Sequence, residues 1–182
     1  MSGRAFRAQL VTPGQRELFD YWRLSAGPRT MPARADFDPL SVPRLLPHIG
    51  LIDVRSGIDH ASFRLAGTQL HSVYGQEITG KRVADVFCGV QGEYWGRIHG
   101  RVAEQGRPAH GVIQGPVNDR DHVVLFWLRL PFSSDGLSVD TILCLDVAAP
   151  SEHALPRKDA SLIHYPTLRT TLRAQAQRAH CC

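Results

Sequence analysis

The stretch Phe63–Phe87, FRLAGTQLHSVYGQEITGKRVADVF, decides the fold of this chain. It begins as a short apolar strand that stops at Gly67, after which Thr68 is expected to cap a brief helix. The apolar positions of that helix lie three and four residues apart: Leu70, Val73 and Tyr74. Gly75 is expected to end the helix, and Gly80 to open a second short turn. The stretch therefore predicts one strand followed by two short helices, with glycines between them.

The composition is that of one folded domain with extensions, with 182 residues, 43% hydrophobic and 21% charged. No apolar run approaches the length that crosses a bilayer, and the N-terminus lacks a signal pattern, so we expect a cytoplasmic protein without a membrane span. The four cysteines show no CxxC spacing and predict no disulfide framework. His180, Cys181 and Cys182 are expected to lie in a loose tail, and the sequence assigns them no role.

The net charge of +4 is distributed unevenly along the chain. Residues 1–34 and residues 157–182 each carry +4, so residues 35–156 carry −4. Basic ends favour nucleic acid or acidic membranes in some proteins, but a nucleic-acid binder usually carries its basic stripe on the folded domain. The acidic middle therefore argues against a nucleic-acid partner, and we interpret the basic ends as solvated.

The chain divides into four segments by composition. We interpret 1–13 as an arm, 14–47 as an N-terminal helix with a proline-rich connector, 48–148 as the folded core and 149–182 as a C-terminal extension. Within the core, alternating apolar residues predict strands at 48–54, 61–66, 109–117, 122–132 and 137–147, and helical spacing predicts a long helix at 92–105. This order predicts an α+β fold, in which one five-stranded antiparallel sheet carries short helices and one long helix on one face.

Several motifs resemble those of a single-domain bacterial PAS family. The family pattern D-F-D-P, L-L-P, D-V, F-R-x-x-G-T and G-x-E-x-T-G is matched by residues 36–39, 45–47, 53–54, 63–68 and 75–80. The resemblance covers residues 15–147 and implies a PAS-like core with an N-terminal flanking helix. It also implies a stand-alone, non-enzymatic sensory or regulatory protein that signals through a ligand or a protein partner. Because no output domain is attached, any output is expected to pass through that partner.

The fourth predicted strand is apolar on both faces. One face is formed by Val124, Phe126, Leu128, Leu130 and Phe132, and the other by Val123, Leu125 and Trp127 up to Arg129. A sheet with one solvated face would show polar residues on it, so a cover is predicted for the Val123, Leu125 and Trp127 face. The helix at 14–26 offers an apolar surface with Leu18, Tyr21 and Trp22 at helical spacing. Docking on the same subunit or on a partner is left open, and a homodimer is favoured because symmetric dimers are the commonest assembly.

A small ligand pocket is predicted between the long helix and the sheet. Its expected lining is Tyr74, Phe87, Trp95, His99, Trp127 and Cys144. The alternative is that these side chains simply fill the core. The sequence names neither the ligand nor the partner.

Two further functions are alternatives to a plain ligand or partner sensor. Haem-binding PAS sensors carry their proximal ligand on the long helix, so the resemblance makes His99 the candidate for a haem-based gas or redox sensor. Flavin is not expected, because light-sensing relatives use Asn-Cys-Arg-Phe before that helix, whereas Cys88 lies in Phe87-Cys88-Gly89.

A small isomerase-like enzyme is the second alternative. It would need an acid–base residue with a strongly shifted pKa in the pocket. The sequence shows no paired carboxylates in its apolar elements and no HExxH, P-loop or nucleophile-elbow motif. We therefore predict no catalytic residue and no other metal site.

Overall fold

The computed structural model of the protein describes residues 3–87, 89–115 and 123–151. Its helices are α1 (Gly3–Gln9), α2 (Pro13–Ala26), α3 (Thr68–Tyr74), α4 (Val83–Val86) and α5 (Gly89–Gln105). Its strands are β1 (Ile49–Asp53), β2 (Ser62–Ala66), β3 (Ala109–Gln114), β4 (Val123–Phe132) and β5 (Thr141–Pro150). Single 3-10 turns lie at Arg34–Asp36, Pro39–Ser41, Leu46–His48 and Ile58–His60.

The strands form one antiparallel sheet in the order β2-β1-β5-β4-β3. This confirms the predicted α+β fold with its five-stranded sheet, short helices, long helix and N-terminal flanking helix. The pairing of β1 with β2 contains one irregularity, since Leu51 pairs with Leu65 but Ile52 pairs with Phe63. Arg64 is thus an extra residue in β2, and the bulge places Phe63 and Leu65 on opposite faces of the sheet.

Each face of the sheet carries its own hydrophobic core. The inner core lies between the sheet and α3, α4 and α5, and it includes Phe63, Trp95 and Leu125. The outer core lies between the sheet and α2, and it includes Leu18 and Trp22. Burial of each large apolar side chain contributes roughly 1.5–3 kcal/mol, so both layers stabilise the sheet.

The N-terminal helix covers the face opposite to the predicted one. Leu18 and Trp22 pack in one core with Leu128, Leu130 and Phe132, while Leu125 and Trp127 belong to the inner core. The assignment of Val123, Leu125 and Trp127 to the surface under the helix was therefore wrong. Both faces of β4 are apolar, so the strand pattern alone does not say which face meets α2.

Helix α2 docks on the sheet of its own chain. The Trp22 indole donates to the Pro131 carbonyl at 2.8 Å, and Gln15 Nε2 donates to the Trp127 carbonyl at 2.9 Å. Tyr21, the third predicted cover residue, is only half-buried and packs its ring against Phe37 at 5.8 Å. The docking question that the sequence left open is thus answered within one subunit.

The segment interpreted as an arm contains helix α1, which packs along α2. The Phe6 and Phe19 rings lie 4.9 Å apart, and Arg7 pairs with Asp20 at 2.7 Å. Thr12 starts α2 through a reciprocal capping arrangement, since its hydroxyl accepts from the Gln15 backbone N–H.

Glycines set the backbone path of Phe63–Phe87. Gly75 ends α3 in the left-handed region with φ +70°, and Gly80 has φ +80°. Gly67 has ordinary dihedrals, but a Cβ there would lie 2.2 Å from the Leu46 carbonyl oxygen, so it is a position of close approach. The predicted cap was wrong: Gly67 is the N-cap, and Thr68 is the first helical residue.

Several element boundaries differ from the sequence prediction, among them the starts of the long helix and of the last strand. Helix α5 begins at Gly89, three residues before the predicted start, and the last strand begins at Thr141. Asp135 accepts hydrogen bonds from the backbone N–H groups of Leu137 and Ser138, which holds these residues in a turn and delays the strand. The extension beyond 151, with His180, Cys181 and Cys182, lies outside the described residues.

No helix in the described ranges is long and apolar enough to cross a membrane.

Candidate functional site

The six residues predicted to line a ligand pocket come together in the inner core. All are buried: Tyr74, Phe87, Trp95, His99, Trp127 and Cys144. The Trp95 ring lies at its centre, 5.4 Å from His99, 5.4 Å from Phe87 and 5.6 Å from Trp127. Whether a ligand binds among them stays a prediction, because the side chains pack against one another.

A buried ion pair lies in the same place and was missed by sequence reasoning. Arg129 and Asp146 are 1% and 0% exposed, and the guanidinium binds the carboxylate through two hydrogen bonds, of 2.8 and 3.2 Å. The Arg129 side chain also donates to the Leu128 carbonyl at 3.0 Å. We call the six pocket residues together with Arg129 and Asp146 the interior cluster.

The ion pair is linked to both covering helices. The Tyr74 hydroxyl on α3 donates to Asp146 Oδ2 at 2.9 Å, and Arg129 Nε donates to His99 Nε2 on α5 at 3.0 Å. The guanidinium carbon also lies 4.4 Å from the centre of the Trp95 ring, a cation–π contact. Sheet and helices are therefore joined by one continuous polar network inside an apolar core.

A signal for Arg129 and Asp146 was present in the sequence. Side chains alternate between the faces of a strand, so Arg129 shares a face with Trp127, and Asp146 shares a face with Cys144. The cross-strand pairs Trp127 with Asp146 and Arg129 with Cys144 then place the two charges diagonally next to each other. Arg129 was instead interpreted as the end of the apolar face.

Burial and neighbouring charges shift several pKa values in the cluster. Burial raises the pKa of the Tyr74 hydroxyl well above its ordinary value, and Asp146 adds to the shift. Burial and then Arg129 hold the pKa of His99 well below its ordinary value. Burial raises the pKa of the Cys144 thiol to about 12.

Arg129 is the one group of the cluster whose pKa shift favours its charged form. Burial acts to lower the pKa of Arg129, but the Asp146 carboxylate and other neighbours raise it above its ordinary value overall. At neutral pH, Tyr74 and Cys144 are protonated, His99 is uncharged and Arg129 is charged.

Three ring nitrogens in the cluster lack a hydrogen-bond partner among the described residues. They are Trp95 Nε1, His99 Nδ1 and Trp127 Nε1, and each is fully shielded from solvent. The Trp127 ring packs against Gly111 on β3, where a Cβ would come within 2.6 Å of a ring carbon. Buried polar atoms without partners are rare, and each costs about 1–3 kcal/mol.

The arrangement of His99 does not fit a proximal haem ligand. Its Nε2 lone pair accepts the hydrogen of Arg129 Nε, and its ring stacks on Trp95 with an interplanar angle of 18°. The guanidinium thus lies where an iron bound to Nε2 would have to lie. Cys88, on which the argument against flavin depends, lies outside the described residues.

The chemistry of the cluster favours binding over catalysis. The thiol of Cys144 is protonated, and a thiol attacks only as thiolate. The lowered pKa of His99 makes it a weak base, and Tyr74 holds its proton. In residues 3–87, 89–115 and 123–151, no group of three His, Cys, Asp or Glu side chains is placed to hold a metal ion.

Two adjoining cavities lie on the outer face of β1 and β2, away from the predicted site. One, of about 390 Å³, is lined by Arg55, Arg64 and Asp140, and the other, of about 430 Å³, by Phe37 and Pro47. Leu51 and Leu65 contribute to both cavities. None of the sequence-predicted site residues lines either one.

The sequence matches the family model described as PAS domain over residues 10–145, and the chain belongs to this family. PAS domains are in general sensory or regulatory modules and not enzymes. The sequence matches no curated protein. A solved structure described as "Flavin Analogue Sheds Light on Light-Oxygen-Voltage Domain Mechanism" is similar at 12% identity and a TM-score of 0.47, covering 63% of this chain and 86% of that chain.

Proposed function

We propose that this protein is a sensory PAS domain that binds a small molecule at the interior cluster, between α5 and the sheet. The observation that carries the proposal is the fully buried Arg129–Asp146 pair. A buried ion pair is seldom the most stable filling of a core, since apolar side chains of similar volume often serve stability as well or better. A role in recognition accounts for charges at the centre of the domain.

The position of the cluster supports a signal as well as a binding event. Through Tyr74 and His99 the ion pair contacts α3 and α5, while its own residues lie on β4 and β5. A molecule that rearranges this network would shift the helices relative to the sheet, provided that it binds the two arrangements with different affinity. The output then passes through a protein partner or a second copy of the chain, and the cytoplasmic location expected from the sequence stays a prediction.

The experiment compares two tryptophan variants that lie on opposite faces of the sheet. Trp127→Phe alters the interior cluster, and Trp22→Phe alters the outer core under α2. Native mass spectrometry of protein isolated gently from cells is expected to show a noncovalent small molecule on the wild type and on Trp22→Phe. The amount of bound molecule is expected to be reduced, or to fall to zero, on Trp127→Phe. Denaturation is expected to release the molecule from every protein that carries it.

Two results would contradict the proposal. One is a wild-type protein that shows only the mass of its own sequence and that no small-molecule extract of cells stabilises against heat. The other is a bound molecule that Trp22→Phe removes and Trp127→Phe leaves in place, since this would locate binding on the outer face.

A further inference from the structure

The unpartnered nitrogens of the interior cluster carry information about the ligand itself. The described residues contain four buried side-chain atoms without a hydrogen-bond partner, and three of them belong to this one cluster. The fourth is His48 Nδ1, in the connector before β1. Such a concentration beside a satisfied ion pair indicates groups that are reserved for a molecule that binds there.

The contact with Arg129 fixes the hydrogen position on His99. Arg129 Nε is part of a guanidinium and acts only as a donor, so His99 Nε2, 3.0 Å away, must accept. A ring nitrogen accepts only when it is bare, and a neutral imidazole carries its one hydrogen on the other nitrogen. His99 Nδ1 therefore bears the hydrogen and is a donor.

All three unpartnered atoms are then donors of the same kind. Trp95 Nε1 and Trp127 Nε1 carry indole hydrogens and cannot accept. The rings of His99 and Trp127 both contact the ring of Trp95, with centroids 5.4 and 5.6 Å away. The cluster thus presents a set of N–H groups and no unpartnered side-chain acceptor among the described residues.

We infer that the ligand of the interior cluster is a small molecule whose buried end is an oxygen acceptor without hydrogens, either a carbonyl or a single carboxylate. This inference rests on the proposed function, since it names the class of molecule bound at the proposed site. The negative charge of Asp146 beside Arg129 disfavours a ligand end with two negative charges. A cation or a molecule that only donates finds no counterpart among the three nitrogens.

The test uses nitrogen-15 NMR of the full chain, which contains three tryptophans and therefore three indole N–H signals. Trp22 is the internal control, because its indole already donates to the Pro131 carbonyl at 2.8 Å. Each signal is assigned with a tryptophan-to-phenylalanine variant. In the free protein, the signals of Trp95 and Trp127 are expected upfield of the signal of Trp22, and His99 is expected with its hydrogen on Nδ1.

Three probes of equal size distinguish the ligand chemistries: sodium acetate, acetone and isopropylammonium chloride, each with four heavy atoms. Ligands this small bind no tighter than tens of micromolar at best, so the titration extends to ~100 mM at constant ionic strength. Acetate or acetone is expected to move the signals of Trp95 and Trp127 downfield while that of Trp22 stays in place. The probe that moves these signals, acetate or acetone, shows whether the buried end of the ligand is a carboxylate or a carbonyl.

The contribution of a single donor is measured with Trp127→Phe. Loss of one neutral hydrogen bond is expected to weaken binding of the responding probe by about 2- to 12-fold. Trp22→Phe is the matched control and should leave the affinity unchanged.

The inference is overturned if His99 carries its hydrogen on Nε2, if isopropylammonium alone moves the two signals, or if neither acceptor moves them. It is also overturned if the molecule found by mass spectrometry binds without shifting them. In that last case the proposed function stands and only the ligand class is wrong. If no molecule binds the interior at all, the proposed function fails with it.

Discussion

Removal of one charge from the interior cluster is the most demanding test of its described geometry. Arg129→Met leaves the Asp146 carboxylate, 0% exposed, with the Tyr74 hydroxyl as its one side-chain donor among the described contacts. Loss of one partner of a fully buried pair costs about 3–5 kcal/mol, because the other charge remains without compensation. Each single variant also leaves one neutral group without its partner, His99 Nε2 in Arg129→Met and the Tyr74 hydroxyl in Asp146→Leu, and this adds about 1–3 kcal/mol to either loss.

The double variant Arg129→Met with Asp146→Leu separates this account from a simple loss of contacts. It removes both charges, so its loss of stability is expected to be smaller than the sum of the two single losses by several kcal/mol. The measurement is the free energy of unfolding in urea, followed by far-ultraviolet circular dichroism. If a single variant does not fold, Asp146→Asn, which retains the shape and one acceptor, supplies the comparison.

Arg55→Met is the matched control for these variants. Arg55 also pairs with an aspartate, Asp53, but its side chain is 63% exposed. An exposed pair contributes little to stability, because solvent and salt screen its charges. Two results would contradict a buried, interacting pair. One is an Arg129→Met variant that loses no more stability than Arg55→Met, and the other is a double variant whose loss of stability equals the sum of the two single losses.

Three further predictions concern the rest of the molecule. Burial and Arg129 lower the pKa of His99 in the folded state, and burial lowers that of His110, so the stability that each contributes is complete above pH 6.5 and is lost as the pH falls below it. For the fully buried His99 the loss is about 1.4 kcal/mol per pH unit until its folded pKa is reached, and for the partly exposed His110 it is smaller because solvent screens the charge. Unfolding curves that do not change from pH 7 to pH 5 would contradict this. Deletion of residues 1–26 uncovers the outer core, so light scattering is expected to show aggregation or an altered oligomeric state, whereas a clean species of parental stability would show that α1 and α2 cover nothing important. Gly80→Val places a branched side chain at φ +80° and is expected to lower stability by about 1–3 kcal/mol. Gly67→Ala is expected to lower stability more than Gly80→Val does, because its Cβ would collide with the backbone at Leu46. Thermal midpoints equal to that of the parent would contradict both expectations.

The fold was largely accessible from the sequence because its signals are local. The glycines at 75 and 80 set φ values that other residues seldom adopt, and the spacing of Leu70, Val73 and Tyr74 gives α3 directly. Period-two alternation gave the strands. The start of the last strand was misplaced because Asp135 holds the following residues in a turn through side-chain hydrogen bonds, which periodicity does not report.

The two faces of the sheet could not be told apart in this way. Strand β4 is apolar on both sides, so the alternation predicts two covers without saying which is which. The structure shows that the face with Arg129 meets α3 and α5. Arg129 binds His99 on α5, and it also binds Asp146 on β5, which accepts a hydrogen bond from Tyr74 on α3. The face without charges is left for α2.

The sequence predicted six residues of the interior cluster but missed the ion pair between Arg129 and Asp146. Trp95 and His99 share one face of a helix, which spacing shows. The contact between Arg129 and Asp146 joins positions 17 residues apart on paired strands, and the register that brings them together is set by tertiary structure. The tautomer of His99 follows only once the 3.0 Å contact with Arg129 is known.

A crystal structure of protein isolated gently from cells tests the central claim most directly. We expect density for a small molecule between α5 and the sheet, with an oxygen within hydrogen-bond distance of Trp95 Nε1, His99 Nδ1 or Trp127 Nε1. An interior that is closed by side chains alone, in protein that also binds neither acetate nor acetone, would contradict this expectation.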